Sequence, residues 1–178
     1  MSLVNLKKVN NSPSGFGKIL VCPYANITAH PTIGTITNPG DEKKYTTGPT
    51  FPTNKGWIDL GLEVDMGKIN GYNATGEWGS TSKEVIVDAE INGLDEKVLG
   101  ALDLLVQDEL ALVLMPPEGS SSNPLYIGCA NKGARALFKG TSGAVKGAGK
   151  KGAVISFTYY GSLFTAGFAL VSDTSAAY

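Results

Sequence analysis

Six carboxylates stand at alternating positions on two strand-like runs, and carboxylates are the residues here best suited to acid–base chemistry. Asp59, Glu63 and Asp65 fall within Trp57–Met66, and Glu84, Asp88 and Glu90 within Lys83–Ile91. Glycosidic cleavage uses such a pair, with one carboxyl raised in pKa by an apolar pocket. These acids instead alternate with Ile58, Leu60, Leu62, Val64 and Met66, or with Val85, Val87, Ala89 and Ile91. Regular alternation describes a strand with one hydrated face and one core face. The spacing therefore favours ionised, solvated acids over catalysis, with a water channel or a repeated polyanion as a further possibility.

Other chemical signals fail on context. Gly147-Ala148-Gly149-Lys150-Lys151-Gly152 fits G-x-G-x-x-G, but a dinucleotide site needs a strand before it and a helix after it. Here a Gly/Ser loop precedes it and the β-prone run Val154–Tyr160 follows. A Walker loop fails too, with Ala144 at its first glycine position and Lys151 at its Ser/Thr position. Lys146, Lys150 and Lys151 are suited to a phosphate backbone, an acidic partner or plain solvent. His30 is the only histidine and has no companion ligand, so it reads as a loop-packing or solvated residue rather than a metal or proton-shuttle group. No Gly-x-Ser-x-Gly occurs, which leaves no nucleophile signature. Cys22 and Cys129 lie on apolar runs and read as buried thiols, bridged only if their strands are neighbours. Trp57 and Trp78 sit at strand ends, where core plugging or a subunit interface is expected. No catalytic residue, cofactor site or metal site is expected.

The elements that would position these residues are mostly strands. Short β-prone runs cover Lys18–Cys22, Leu110–Met115 (apolar on both faces), Leu125–Ala130 and Arg135–Lys139. Asn70–Trp78 is a further candidate, broken by Gly76. Val154–Tyr160 and Leu163–Val171 are separated by Gly161-Ser162, which predicts a hairpin. One helix is expected from about Leu94 or Asp95 to Val106, on the stripe Val98, Leu99, Leu102, Leu105 and Val106. Gly100 inside it costs about 1 kcal/mol relative to Ala, so the helix must pack on a larger surface to persist. About eight strands and one helix make a mainly β chain, a β-sandwich or barrel with one flanking α-helix.

Composition sets the outer bounds. The 178 residues carry 15 Lys+Arg against 16 Asp+Glu and are 42% hydrophobic, which fits one folded domain and excludes a large basic footprint for gripping nucleic acid. No apolar run approaches the roughly 20 residues of a membrane span, and Met1–Asn11 lacks the apolar core of a secretory signal. Sequons at Asn10, Asn26 and Asn73 are read as chance. Charged residues make up only 17%, while glycine numbers 23, against the usual quarter or so of charged residues. Glycine and small polar residues gather in an arm (1–15), a long extended loop (25–56), the loop Gly140–Gly152 and a tail (172–178). Such segments suit surfaces that order against a partner.

The run Gly56-Trp57-Ile58-Asp59-Leu60-Gly61-Leu62-Glu63-Val64-Asp65-Met66-Gly67 resembles a strand pattern of the tail tube (major tail) proteins of long-tailed bacteriophages. The step from Val85 into Asp95-Glu96-Lys97-Val98-Leu99-Gly100 is similar to that family's strand-into-helix passage. The resemblance implies a β-sandwich with one flanking helix that assembles into stacked hexameric rings, forming the conduit for DNA ejection. It implies contacts with other tail proteins, no membrane, and residence in the virion tail after assembly in the host cytoplasm. The arm, long loop and tail would make ring-to-ring contacts. On this reading Asp59, Glu63, Asp65, Glu84, Asp88 and Glu90 are candidates to face the lumen, letting DNA pass without sequence-specific binding. Trp57, Trp78, Lys146, Lys150 and Lys151 are candidates for the subunit interface, and Lys68 departs from a uniformly acidic bore. The inner tube of a contractile injection or secretion machine has the same design. A carbohydrate-binding sandwich would use Trp57, Trp78, Tyr159 and Tyr160 for stacking.

Overall fold

The computed structural model describes residues 15–60, 68–75, 82–92, 96–117, 123–130, 132–141 and 152–172. They form eleven strands and one helix: β1 (Lys18–Pro23), β2 (Thr32–Ile33), β3 (Lys44–Thr47), β4 (Ile58–Asp59), β5 (Lys68–Thr75), β6 (Ser82–Asn92), α1 (Glu96–Gln107), β7 (Glu109–Met115), β8 (Leu125–Ile127), β9 (Ala134–Thr141), β10 (Gly152–Tyr160) and β11 (Phe164–Ala166). The protein is mainly β, as its alternating runs predict. No helix among the described residues is long and apolar enough to cross a membrane.

β7 organises the rest. Its residues Leu110 to Leu114 are all 0% exposed, which is possible for a strand only when both faces are covered. Along one edge it pairs antiparallel with the whole of β1, from Lys18↔Met115 to Pro23↔Leu110. The other edge is shared. Glu109 and Leu110 pair with Arg135 and Ala134 of β9, while Leu112–Leu114 pair with Ile127–Leu125 of β8. The sheet forks there into β9-β10-β6-β5 and β8-β11-β3-β2, with β4 added outside β1.

Each face of the β1–β7 ladder supports its own core. Leu110, Leu112, Leu114, Ile19 and Val21 meet Val85, Val87 and Ala89 of β6 and Ile155, Phe157 and Tyr159 of β10. The odd positions Ala111 and Val113, with Leu20, Cys22 and Tyr126, meet Ile27, Tyr45, Trp57 and Ala166. The period of two thus divides one strand between two hydrophobic clusters. Helix α1 closes the first, where Leu105 packs at its margin. Val106, on the expected apolar stripe, is 40% exposed; the side chains of Val98, Leu99 and Leu102 lie outside the described set.

Two expectations need correction. The run Val154–Tyr160 does not form a hairpin with the residues after Gly161-Ser162. Both edges of β10 are taken, by β6 and β9, so the chain leaves the branch. Gly161 donates its N–H to the Lys83 carbonyl and packs so closely on Tyr159 that a β-carbon would overlap the ring hydroxyl. β11 then pairs parallel with β3 and antiparallel with β8. Second, the segment 25–56 is not wholly loop: β2 and β3 lie in it, with Tyr45 buried in the second core. Cys22 and Cys129 are both free thiols, the first buried and the second half-buried. Cys22 is on β1, whereas Cys129 lies beyond β8 in the turn closed by the Cys129↔Lys132 bridge, with β7 between those strands.

Of Trp57–Met66, β4 comprises Ile58–Asp59, and residues 61–67 lie outside the described set. Alternation holds over the visible part, since Ile58 and Leu60 pack on the first core and Asp59 is exposed. The arm 1–14, the stretch 142–151 and the tail beyond Ser172 also lie outside it.

Because Leu112 is fully buried in the first core, Leu112→Ala is expected to lower unfolding free energy by about 2–5 kcal/mol. Urea denaturation would measure this, with an unchanged midpoint removing β7 from the centre of the fold.

Candidate functional site

The acids do not form one site. β6 turns Val85, Val87 and Ala89 inward, so Glu84, Asp88 and Glu90 share its outer face. Asp59 belongs to β4, beyond β1, and forms an ion pair with Lys18 at 2.7 Å. Glu63 and Asp65, like Trp78, Lys146, Lys150 and Lys151, lie outside the described residues.

Register assembles the outer face of β5, β6, β10 and β9 in cross-strand rows. Glu84 and Tyr160 stand in one row; Gly71, Ile86, Thr158 and Arg135 in the next. Lys68, Asp88, Ser156 and Leu137 form a third. Ser156 donates its hydroxyl to Asp88 at 2.6 Å, a charge-assisted bond. Lys132 places Nζ 4.9 Å from the centre of the Tyr160 ring. The Tyr160 phenol is raised above its ordinary pKa by its hydrogen bond with the Glu84 carboxylate. Arg135 pairs with Glu109 at 3.3 Å. The face is thus polar with both signs of charge, and it exposes Leu137 (67%), Tyr160 (50%) and Val154 (38%).

Among the described residues this arrangement offers hydrogen bonds and stacking on the outer face of a sheet, whereas acid–base chemistry by a carboxyl pair requires a dry concavity. Among the described residues, Asp88 with Ser156 and Lys68 is the nearest approach to a nucleophile set, with Asp88 and Ser156 half-buried on the outer face of the sheet. Among the described residues no three His, Cys, Asp or Glu side chains converge as metal ligands do. Lys132, Arg135, Ser156 and Leu137 were not singled out from sequence, because only cross-strand register brings them beside β6.

The aromatic residues lie mainly elsewhere. Trp57 is 3% exposed, packed edge-on against Phe51 and Tyr126. It plugs the second core and so presents little surface to another subunit or to a sugar. Tyr159 is 2% exposed, which leaves Tyr160 as the exposed member of that pair. His30 stacks on Tyr24 with ring centres 4.7 Å apart, and the Tyr24 hydroxyl donates to the Cys129 carbonyl. His30 is therefore a packing residue, as its isolation in sequence suggests.

Tyr126 is the centre of this second core. Tyr45, Trp57 and Phe168 all meet its ring edge-on. Its hydroxyl is buried without a hydrogen-bond partner among the described residues, and burial raises its pKa far above the ordinary phenol value. Tyr159 is raised as well, chiefly by burial and then by a hydrogen bond with the Cys129 side chain. Comparison with protein-family models, with curated proteins and with solved structures gives no match.

Two outcomes follow from these tyrosines. An unpartnered buried hydroxyl costs about 1–3 kcal/mol, so Tyr126→Phe should raise stability at neutral pH by about 1 kcal/mol, whereas Tyr159→Phe should lower it by about as much. Urea denaturation separates the two. Both phenols are held protonated in the fold but ionise near roughly pH 10 once unfolded. The unfolded state therefore binds fewer protons above that pH, and stability should fall as pH rises past it. Stability that is flat to pH of about 11 would contradict this assignment.

Proposed function

We propose that the chain is a structural, non-catalytic subunit of a phage tail tube, assembling with copies of itself into stacked rings around a DNA conduit. The branch β9-β10-β6-β5 carries this reading. Its inner face is core and its outer face polar, and it ends in the eight-residue strand β5. Among the described residues, no strand pairs the outer edge of β5. A long unpaired edge invites another strand unless it is covered, and a closed ring of identical subunits covers every such edge at once. The resemblance around Gly56–Gly67 and the strand-to-helix step supply the family. The inner tube of a contractile machine shares this subunit design.

In this proposal the outer face of β6 and β10 lines the bore. Glu84, Asp88 and Glu90 are there with Lys68, Lys132 and Arg135, a mixed surface in place of the uniformly acidic one expected from the acids alone. Basic surfaces hold DNA through phosphate contacts and counterion release; a balanced one lets it slide. Asp59, on β4, is not part of this face. The subunits would join other tail proteins in the virion tail, after assembly in the host cytoplasm.

Electron microscopy of concentrated protein should show rings or tubes. A single monomeric species at every concentration in analytical ultracentrifugation would overturn the proposal. Replacing Glu84 and Glu90 together by Lys should leave tubes intact and slow DNA release, most strongly at low salt. Unaltered release would remove this face from the bore.

A further inference from the structure

Residues 167–172 cross the second core as a strap that joins no sheet ladder. β11 stops at Ala166. Beyond it Phe168 and Leu170 are half-buried and pack on that core, while Gly167, Ala169 and Val171 are exposed. Among the described residues, two backbone hydrogen bonds tie the strap to the rest of the chain. Gly167 donates its N–H to the Tyr45 carbonyl at 2.9 Å, and Trp57 donates to the Val171 carbonyl at 2.8 Å. The β6–β10 ladder, by contrast, pairs nine positions in succession.

The seat beneath it is shaped to the strap alone. A β-carbon at Gly48 would overlap the Phe168 ring, and one at Gly56 would overlap the backbone of Val171 and Ser172. The fit leaves a cost, however. Phe168 meets the Tyr126 ring edge-on, and Val171 bonds Trp57. The Tyr126 hydroxyl and the Trp57 Nε1 are both buried without a hydrogen-bond partner among the described residues. Water would return to each the bond that burial removes, and would also satisfy the two backbone bonds broken when the strap lifts. Apolar burial of Phe168 and Leu170 is therefore what holds the strap down.

We propose that residues 167–172 are a latch, which opens as a unit while β1, β6, β7 and β10 remain folded. Segments with few buried apolar contacts and few backbone bonds open far more often than the domain as a whole. Opening uncovers the rings of Phe51, Trp57 and Tyr126, which pack on one another, together with their two unpaired polar groups. Closed, the latch hides that aromatic surface and covers the backbone at Trp57, where a bare edge would invite another strand. The latch is a property of the single subunit and does not depend on ring assembly.

Native-state hydrogen exchange of the full chain in increasing urea tests the latch. The amides of Trp57 and Gly167 should exchange at least about a hundredfold faster than that of Phe157 on β10, with a weaker dependence on urea. A shared rate and a shared urea dependence would overturn the proposal. Gly56→Ala tests the seat in a Trp78→Phe background, where Trp57 is the sole tryptophan. Its emission should shift to the red and lose its shielding from acrylamide, while the β10 amides stay protected. Trp57 still shielded, or β10 protection lost with it, would count against the latch. Phe168→Ala leaves the backbone at Gly56 untouched and should speed exchange of the Trp57 amide about tenfold or more; an unchanged rate would likewise overturn the proposal.

Discussion

A strand with apolar side chains on both faces is stable only where both faces are covered and both edges paired, since any backbone amide left bare in such a place loses its bond to water. β7 is that strand, and much of the architecture follows from it. β1 satisfies one edge along its whole length, while β8 and β9 divide the other. Division of the edge creates the fork, and the fork creates two branches that fold over opposite faces. Each branch contributes its own cluster, one rich in aliphatic residues and the other in aromatic rings. A substitution in β7 is consequently felt by both cores.

The two cores suit different roles. The first is closed by long, regular ladders, in which β6 and β10 pair over nine positions without a break. Such ladders hold their outer residues in fixed rows and give the exposed face a defined chemistry. The second is closed by short strands and connecting segments, held by close backbone approaches. Gly56 lies so near Val171 and Ser172 that a β-carbon would overlap them, and Trp57 donates its N–H to the Val171 carbonyl at 2.8 Å. Ring packing around Tyr126 takes the place of regular pairing there. The polar, glycine-rich composition of residues 25–56 is compatible with this because few of their side chains are buried; Ile27, Tyr45 and Trp57 flank or punctuate the segment as anchors.

Low charge and abundant glycine acquire a physical meaning at particular positions. Gly161 and Gly56 are required by close packing within the chain, whereas Gly100 meets nothing among the described residues. Exposed Leu104, Leu137 and Ile36 lie on different elements.

The amino-acid sequence by itself determined the strands β1, β6, β7 and β10 and the helix α1, because period-two and helical patterns are local and strong in those runs. It also determined that Val85, Val87 and Ala89 face inward, and hence that Glu84, Asp88 and Glu90 face outward. Only the tertiary structure decided which strands are neighbours. The Gly161-Ser162 turn signal pointed to a hairpin, yet β10 already had a partner on each edge. Thr32–Ile33 and Lys44–Thr47 were too short and too polar to stand out as strands, and they exist because β11 offers an edge to β3. The site was legible to the same degree: its acids were visible in one strand, but Lys68, Ser156 and Arg135 joined them through register. Register depends on which edges remain open after the core has formed, and that is a property of the whole chain.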